Sequence, residues 1–393
     1  MYDYLVHILL DLIGILLIFK WLRIQVREYR SLKNKADFFQ LKRIRFFVLV
    51  IVILLIPLIV VNFTTIEDNN HLSDKNIEEN NYLYAILISF LITAVWLIYV
   101  VRLDIFNKEK KRNIIITLLL SIVLTLFTSY PYRFIHSLGF TDSLNVFKSL
   151  MYDVFGIGLI EETVKLIPLL IMLKVTKAID EPYDYILYAS ISALGFSFVE
   201  NAMYLNNFGL QIINARALFS TVAHMTFSSM IAYGLFLVRF KHTRYPPVLV
   251  ISAFFFFAIF SHGFYDFWLI NPVVINFRGL TTVFFLITIH IWFSIKNNTM
   301  NTSNYYDVTK TMNNDGLKIY LIIGLLSIFM VSYIYVAFKA NSDEANRFFM
   351  QSVVVYGYII FYLIATLTKY NLVKGLLKPF KFTLHFLIPK IKK

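Results

Sequence analysis

Long apolar segments recur along the whole chain, and they constrain its fold more than any other feature. Segments such as 83–101, 184–204 and 247–270 are long enough, as helices, to cross a hydrocarbon layer of about 30 Å. The 393-residue chain is 58% hydrophobic and only 16% charged, which is too little charge to cover a soluble protein of this length. Because a helix satisfies its own backbone hydrogen bonds in lipid, the sequence predicts an all-α polytopic membrane protein.

The apolar segments predict about eleven transmembrane helices. They are 4–22, 46–63, 83–101, 114–130, 153–173, 184–204, 220–240, 247–270, 280–295, 318–338 and 351–370. We predict three regions: four N-terminal spans in 1–130, a core in 131–295, and C-terminal helices with a basic interfacial tail in 296–393. The four consecutive spans five to eight lie in the core, and we expect them to form a four-helix unit.

The charges of the loops predict an orientation. Loops 20–45 and 102–113 are rich in lysine and arginine, whereas loop 64–82 is acidic. Since lysine and arginine accumulate in cytoplasmic loops, we expect a multi-pass protein with its N-terminus outside the cell and its C-terminus in the cytoplasm. The heavy use of Ile, Lys, Asn, Phe and Tyr suggests an AT-rich bacterial genome, so we expect the bacterial cell membrane. The polar segment 297–317 predicts a flexible cytoplasmic loop.

The composition excludes several kinds of function. The net charge of +13 comes from lysines and arginines beside apolar runs, which indicates contact with the lipid bilayer and no nucleic acid as a partner. The chain has no cysteine, so disulfides, thiol catalysis and cysteine-ligated metals are excluded. It also lacks the HExxH motif of zinc proteases and the GxSxG motif of serine hydrolases.

Ionisable residues inside spans five to eight are the strongest functional signal. A charged group at the centre of a bilayer costs about 2.5–3.5 kcal/mol on insertion scales, so such residues are rare and usually functional. With the predicted orientation, all of them lie in the outer half of the bilayer. They are Glu161, Glu162 and Lys165 in span five, Glu200 and Asn201 in span six, His224 in span seven, and His262 and Asp266 in span eight. Asp153 and Asp184 lie at span ends, where charge costs little.

These residue types can activate water. Two adjacent carboxylates in a site of low dielectric cannot easily both ionise, so one can take a proton and the other can be held charged by Lys165. The imidazoles of His224 and His262 could stabilise an oxyanion, or could bind a divalent metal such as Zn²⁺ together with Glu200. Asp266, one turn from His262, would orient that imidazole. Hydrolysis of an amide is the natural use of this chemistry.

Four motifs in order resemble the PrsW family of bacterial intramembrane proteases. They are EETVK at 161–165, FSFVEN at 196–201, His224 at the start of the next helix, and HGFYD at 262–266. That family is similar to the CAAX prenyl endopeptidases and their Abi relatives. The resemblance covers about residues 130–295.

The resemblance implies a set of roles. Glu161 would be the general base, Glu162 would pair with Lys165, and Glu200, Asn201, His224, His262 and Asp266 would complete the site. It also implies cleavage of a single-span membrane protein, such as an anti-sigma factor, near its extracytoplasmic end, as the first step in stress signalling. The prenyl endopeptidases have Arg in place of Lys165 and His in place of Glu200, which leaves their mechanism and metal dependence open here.

Two other functions fit the same residues. Carboxylates and histidines within helices also form proton relays, so a proton- or ion-coupled transporter is the main alternative. Such transporters usually carry internal repeats and helices broken at the midplane, and the sequence shows no strong repeat. A sensor or scaffold without catalytic activity is the third possibility.

Overall fold

The structure is a computed structural model that describes residues 82–176, 178–311, 314–370 and 372–378, together with Arg23 and Arg27. The described helices belong to one compact unit, Ile77–Lys381. They are α1 (Tyr82–Arg102), α2 (Lys111–Leu126), α3 (Ser129–Ser137), α4 (Val146–Tyr152), α5 (Leu159–Val175), α6 (Pro182–Phe208), α7 (Thr221–Arg239), α8 (Pro247–Ile270), α9 (Gly279–Asn301), α10 (Asn314–Lys339) and α11 (Ser342–Leu367). Two π-helical segments, Asp153–Gly158 and Arg216–Ser220, lead into α5 and α7.

The protein is an all-α, multi-pass membrane protein. Within the described residues, eight helical stretches are long and apolar enough to span a bilayer, and they correspond to predicted spans three, four and six to eleven. Predicted span five forms the π segment followed by α5, and it differs from the eight in carrying the charged residues Glu161, Glu162 and Lys165. Predicted spans one and two lie outside the described residues.

Helices α6 and α7 form the centre of the unit. In each, 83% of the most apolar stretch is buried, compared with 22–50% in the other candidate spans. Helix α6 packs against α1, α2, α5 and α7, and α7 also packs against α8 and α9. Polar residues on α6 and α7 therefore face protein instead of lipid.

The ends of α6 follow from its sequence. Pro182 occupies the first turn, where its missing N–H costs no hydrogen bond. Glu181 is the N-cap residue, and it forms a capping box with Asp184. The Glu181 side chain accepts from the backbone N–H of Asp184, and the Asp184 side chain accepts from the backbone N–H of Glu181. At the other end the chain leaves the helix at Gly209, whose φ of +74° is accessible to glycine at little cost.

Two glycines bring α8 close to the π segment before α5. A Cβ on Gly263 would lie 2.4 Å from Val154 Cα and 2.5 Å from Asp153 O, and a Cβ on Gly158 would lie 2.7 Å from Ile259 O. Only the absence of a side chain permits this approach. It sets the distance between α5 and α8 where His262 faces the glutamates.

The prediction of a flexible loop over 297–317 was wrong for its first residues. Helix α9 continues to Asn301, and the side chains of Asn298 and Asn301 are buried. Asn298 Oδ1 accepts from Lys378 N at 2.9 Å, and Asn301 Oδ1 accepts from Val373 N at 2.7 Å. These asparagines bind the backbone at Val373 and at Lys378, which belongs to the predicted basic tail; most of that tail lies outside the described residues.

We expect Gly263→Ala to destabilise the protein. The added methyl group must displace the backbone of the π segment, and overpacking of this kind typically costs about 1–3 kcal/mol. Gly357→Ala on α11 is the matched control, because a Cβ there meets nothing within 4 Å and alanine favours a helix. Thermal unfolding in detergent should show a lower midpoint for Gly263→Ala alone, and equal midpoints would contradict the packing role.

Candidate active site

The first two turns of α5 supply one cation and two carboxylates. Lys165 lies three residues after Glu162 and four after Glu161, so all three share a helix face. The Lys165 ammonium donates to Glu162 Oε1 at 3.0 Å and to Glu161 Oε2 at 3.2 Å. Lys165 and Glu162 are fully buried, which makes the pairing necessary because an unpaired charge there would be very costly.

His262 joins α8 to the two glutamates of α5. Its Nδ1 lies 2.9 Å from Glu162 Oε1, and its Nε2 lies 3.4 Å from Glu161 Oε2. The same Nε2 lies 3.3 Å from Asp266 Oδ2, one turn further along α8. Both ring nitrogens therefore face carboxylate oxygens. This arrangement favours the doubly protonated, cationic imidazole, which donates a hydrogen bond from each nitrogen.

His224 links the α5 group to α6. Its Nδ1 accepts from the Lys165 ammonium at 2.8 Å, and its Nε2 donates to Glu200 Oε2 at 2.7 Å. Glu200 also pairs with Arg216, from the π segment before α7. Arg216 Nε donates to Asn201 Oδ1 at 2.7 Å, and Asn201 in turn donates to Thr221. Glu200 is thereby held by two donors, and Asn201 positions Arg216.

The structure brings all eight residues selected from the sequence into one connected network. Their roles as catalytic residues remain a prediction.

The network also contains groups that the sequence analysis did not select. Tyr132 on α3 donates to Glu161 Oε1 at 2.9 Å, and Ser228 on α7 donates to Glu162 Oε2 at 2.9 Å. The ring of Phe196 lies 4.1 Å from the Lys165 ammonium. Ser228 follows His224 by one helical turn, so the sequence could have predicted that it lies on the same helix face. No feature of the sequence near Tyr132 predicts that this residue belongs to the network.

Exposure distinguishes the two adjacent glutamates. The Glu162 side chain is fully buried, and its oxygens accept from Lys165, His262 and Ser228. The Glu161 side chain is 9% exposed, that of Asp266 16% and that of Glu200 17%. The network therefore opens on the side of these three carboxylates, and a water molecule or a peptide can reach Glu161 more easily than Glu162.

Three residues of the network could hold a metal ion. Glu161, His224 and His262 each place a ligand atom so that these atoms lie within 4.8 Å of one another. Two imidazoles and one carboxylate are a suitable donor set for Zn²⁺. The predicted set had Glu200 in the place of Glu161; in the structure the Oε2 atom of Glu200 is bound to Arg216 and His224.

The network lies within a segment that is similar to a known protein family. Residues 109–294 match the family described as "PrsW family intramembrane metalloprotease". This region of the chain belongs to the PrsW family. The match includes every residue of the network, from Tyr132 on α3 to Asp266 on α8.

Curated PrsW relatives support the assignment over part of their length. The protein named Protease PrsW from Oceanobacillus iheyensis is 29% identical over 138 residues, or 35% of this chain and 61% of the relative. Those from Geobacillus kaustophilus and Clostridioides difficile are 35% and 30% identical, over 29% and 38% of this chain and 49% and 64% of the relatives. The chain thus spans about half to two thirds of these relatives. No solved structure matches it.

We expect Ser228→Ala to destabilise the PrsW region. Glu162 Oε2 would lose its hydrogen-bond donor while remaining buried, and an unsatisfied buried acceptor costs about 1–3 kcal/mol. Ser332→Ala on α10 is the matched control, since that buried hydroxyl binds only the Ile328 carbonyl of its own helix. Thermal unfolding in detergent should separate the two variants, and an equal loss in both would show that Ser228 has no special role.

Proposed function

We propose that the chain is an intramembrane endopeptidase that cleaves membrane proteins by activating water at Glu161. The main support is the unequal environment of the two glutamates, which share Lys165 and His262 while only Glu161 faces the opening of the network. Such an arrangement provides one carboxylate for proton transfer and one that fixes the cations. Membership of the PrsW family supports the same reaction class.

In the first step, Glu161 accepts a proton from a water molecule as the water oxygen adds to the carbonyl carbon of the peptide bond. A carboxylate can act as a general base in this way when it lies within hydrogen-bond distance of the water. Lys165 and Tyr132 donate to Glu161 and hold its two oxygens in place. Glu162 takes no proton in this scheme, because its oxygens already accept from three donors.

In the second step, the negative oxygen of the tetrahedral intermediate is stabilised and the amine leaves. His262 lies between Glu161 and Asp266, and it would donate to this oxygen. Glu161 then returns its proton to the amide nitrogen as the C–N bond breaks. In place of that hydrogen bond from His262, a divalent metal held by Glu161, His224 and a neutral His262 would supply Lewis acidity to the carbonyl and lower the pKa of bound water.

We further propose that the site lies toward the extracytoplasmic face. Glu200 lies about 12 Å before the end of α6, His224 lies in the first turn of α7, and Asp266 lies in the last turns of α8. The opposite ends of α7 and α8 flank a basic loop, 240–246, which favours the cytoplasm. The substrate would be a membrane protein, with a single-span anti-sigma factor as the specific hypothesis, in a bacterial cell membrane.

We expect Glu161→Gln to reduce cleavage at least 100-fold, because an amide has the size of the carboxylate but cannot accept the proton. Bacteria lacking the protein would receive the wild type, Glu161→Gln or the control Glu344→Gln, whose carboxylate forms an exposed pair with Arg347. Enrichment of new N-termini from membrane proteins would identify sites cut only by the wild type and the control.

Two results would contradict the proposal. Unchanged cleavage by Glu161→Gln at normal expression would exclude Glu161 as the base. Proton-gradient-dependent uptake of a solute by reconstituted protein, without any cleavage, would favour the transporter instead.

A further inference from the structure

A second group of buried carboxylates lies at the other end of α6. Asp104 follows α1, and Glu181 and Asp184 lie at the start of α6. Their exposed fractions are 2%, 1% and 0%. Asp184 precedes Glu200 by 16 residues of the same helix, or about 24 Å, so this group is separate from the candidate active site.

Hydrogen bonds from backbone N–H groups account for only half of these oxygen atoms. Asp184 Oδ2 accepts from Glu181 N at 2.8 Å, Asp104 Oδ2 accepts from Glu109 N at 2.7 Å, and the Glu181 carboxylate accepts from the Asp184 N–H. Asp104 Oδ1, Glu181 Oε2 and Asp184 Oδ1 are buried without a hydrogen-bond partner in the part of the chain that the structure describes. A buried acceptor without a donor is rare in a native protein and indicates an ion or a water molecule.

The three carboxylates are also close enough to bind one ion. Each offers an oxygen, and these oxygens lie within 4.8 Å of one another. Oxygen ligands bind Ca²⁺ at about 2.3–2.6 Å, so ligands on opposite sides of that ion are about 4.6–5.2 Å apart. An all-carboxylate set without nitrogen or sulfur selects hard cations such as Ca²⁺ and Mg²⁺ over softer metals.

Among the described residues, no lysine, arginine or histidine forms an ion pair with the group, although the charge of Lys108 acts to lower the pKa of Asp104. The nearby ammonium of Lys310 donates instead to the Phe106 carbonyl at 2.9 Å, and Lys108 is exposed. Three buried negative charges would therefore repel one another. The alternative to a metal ion is protonation, since burial raises the pKa of Asp104 to about 6 and, with the neighbouring Asp104 charge, that of Glu181 to about 8.

A cavity of about 490 Å³ adjoins the group; none of the three carboxylates lines it, and Lys108, Lys110 and Arg112 do. Glu109 and Asp180 line this cavity, and their backbone N–H groups donate to Asp104 and Asp184. A hard divalent cation usually keeps some water ligands, so the cavity could supply the remaining positions.

We propose that Asp104, Glu181 and Asp184 bind a divalent cation with oxygen ligands, Ca²⁺ or Mg²⁺, that joins the end of α1 to the start of α6. The ion neutralises the buried carboxylates and occupies their unpartnered oxygens. It also ties the loop after α1 to the helix that carries Glu200 at its other end. Binding therefore stabilises the folded unit, by an amount that grows with the free cation concentration.

The test uses the full chain in detergent, treated with EDTA and dialysed, and titrated separately with CaCl₂ and MgCl₂. We expect saturable binding of one ion per chain by calorimetry and a rise of the thermal midpoint with one of the two salts. Asp104→Asn should weaken this binding at least ten-fold and remove the thermal shift. Asp104 lies outside the capping box of α6, so this variant should still fold, which circular dichroism and gel filtration would check.

Two further variants locate the ion. Glu344→Gln removes a carboxylate of α11 that pairs with Arg347 outside the group, and it should bind as the wild type does. Glu161→Gln, in the candidate active site, should also retain the binding. Terbium luminescence excited through tyrosine, with Ca²⁺ as competitor, gives a second measurement of the same site. Absence of binding by both salts, equal binding by Asp104→Asn, or loss of binding in Glu161→Gln would each overturn the proposal.

Discussion

The buried ammonium of Lys165 is the interaction on which the candidate active site depends. It is only 1% exposed, and it donates to Glu161, Glu162 and His224. Removing one partner of a buried ion pair typically costs about 3–5 kcal/mol, because the other charge is left without compensation. The ammonium therefore holds α5 against α7, and through His224 it reaches Glu200 on α6.

The charges around Lys165 do not balance without a further positive group. The negative groups are the four carboxylates of Glu161, Glu162, Glu200 and Asp266. The positive groups are three: Lys165, Arg216 and the His262 imidazole, if that ring carries both protons. One negative charge remains, and a proton or a metal cation can neutralise it. A site that gains and loses one proton is suited to general acid–base chemistry. A metal cation held by Glu161, His224 and His262 would also neutralise the remaining negative charge. The charges alone therefore favour neither the protonated site nor the metal-bound site.

Backbone irregularity precedes two of the helices that contribute to the network. A π-helical segment precedes α5 and another precedes α7, and Arg216 belongs to the second. Such segments are frequent at functional sites, since an extra residue per turn changes the direction of the side chains that follow. The first also packs against Gly263, directly after His262. Small residues and local π geometry together allow the approach of α5 and α8 that places His262 against two carboxylates.

The helices and most members of the network could be predicted from the sequence, because a bilayer demands long apolar runs and makes every ionisable residue within them conspicuous. Residues that look ordinary in a sequence could not be predicted this way: Tyr132 and Ser228 belong to the network only because α3 and α7 bring them to the glutamates. Asp184 shows the same limit, since a position at a span end suggests solvent, yet α1 and the loop after it bury it completely.

The sequence by itself determined that the chain is helical, that it crosses a membrane repeatedly, and that acidic and imidazole groups lie at similar depths in spans five to eight. Only the tertiary structure decided which carboxylate each cation binds, that Glu161 is more exposed than Glu162, and that Glu161 lies with His224 and His262 while Glu200 is bound to Arg216. The physical reason is that hydropathy and spacing fix the depth of a residue along its own helix. Helix rotation and close packing against other helices fix its partners.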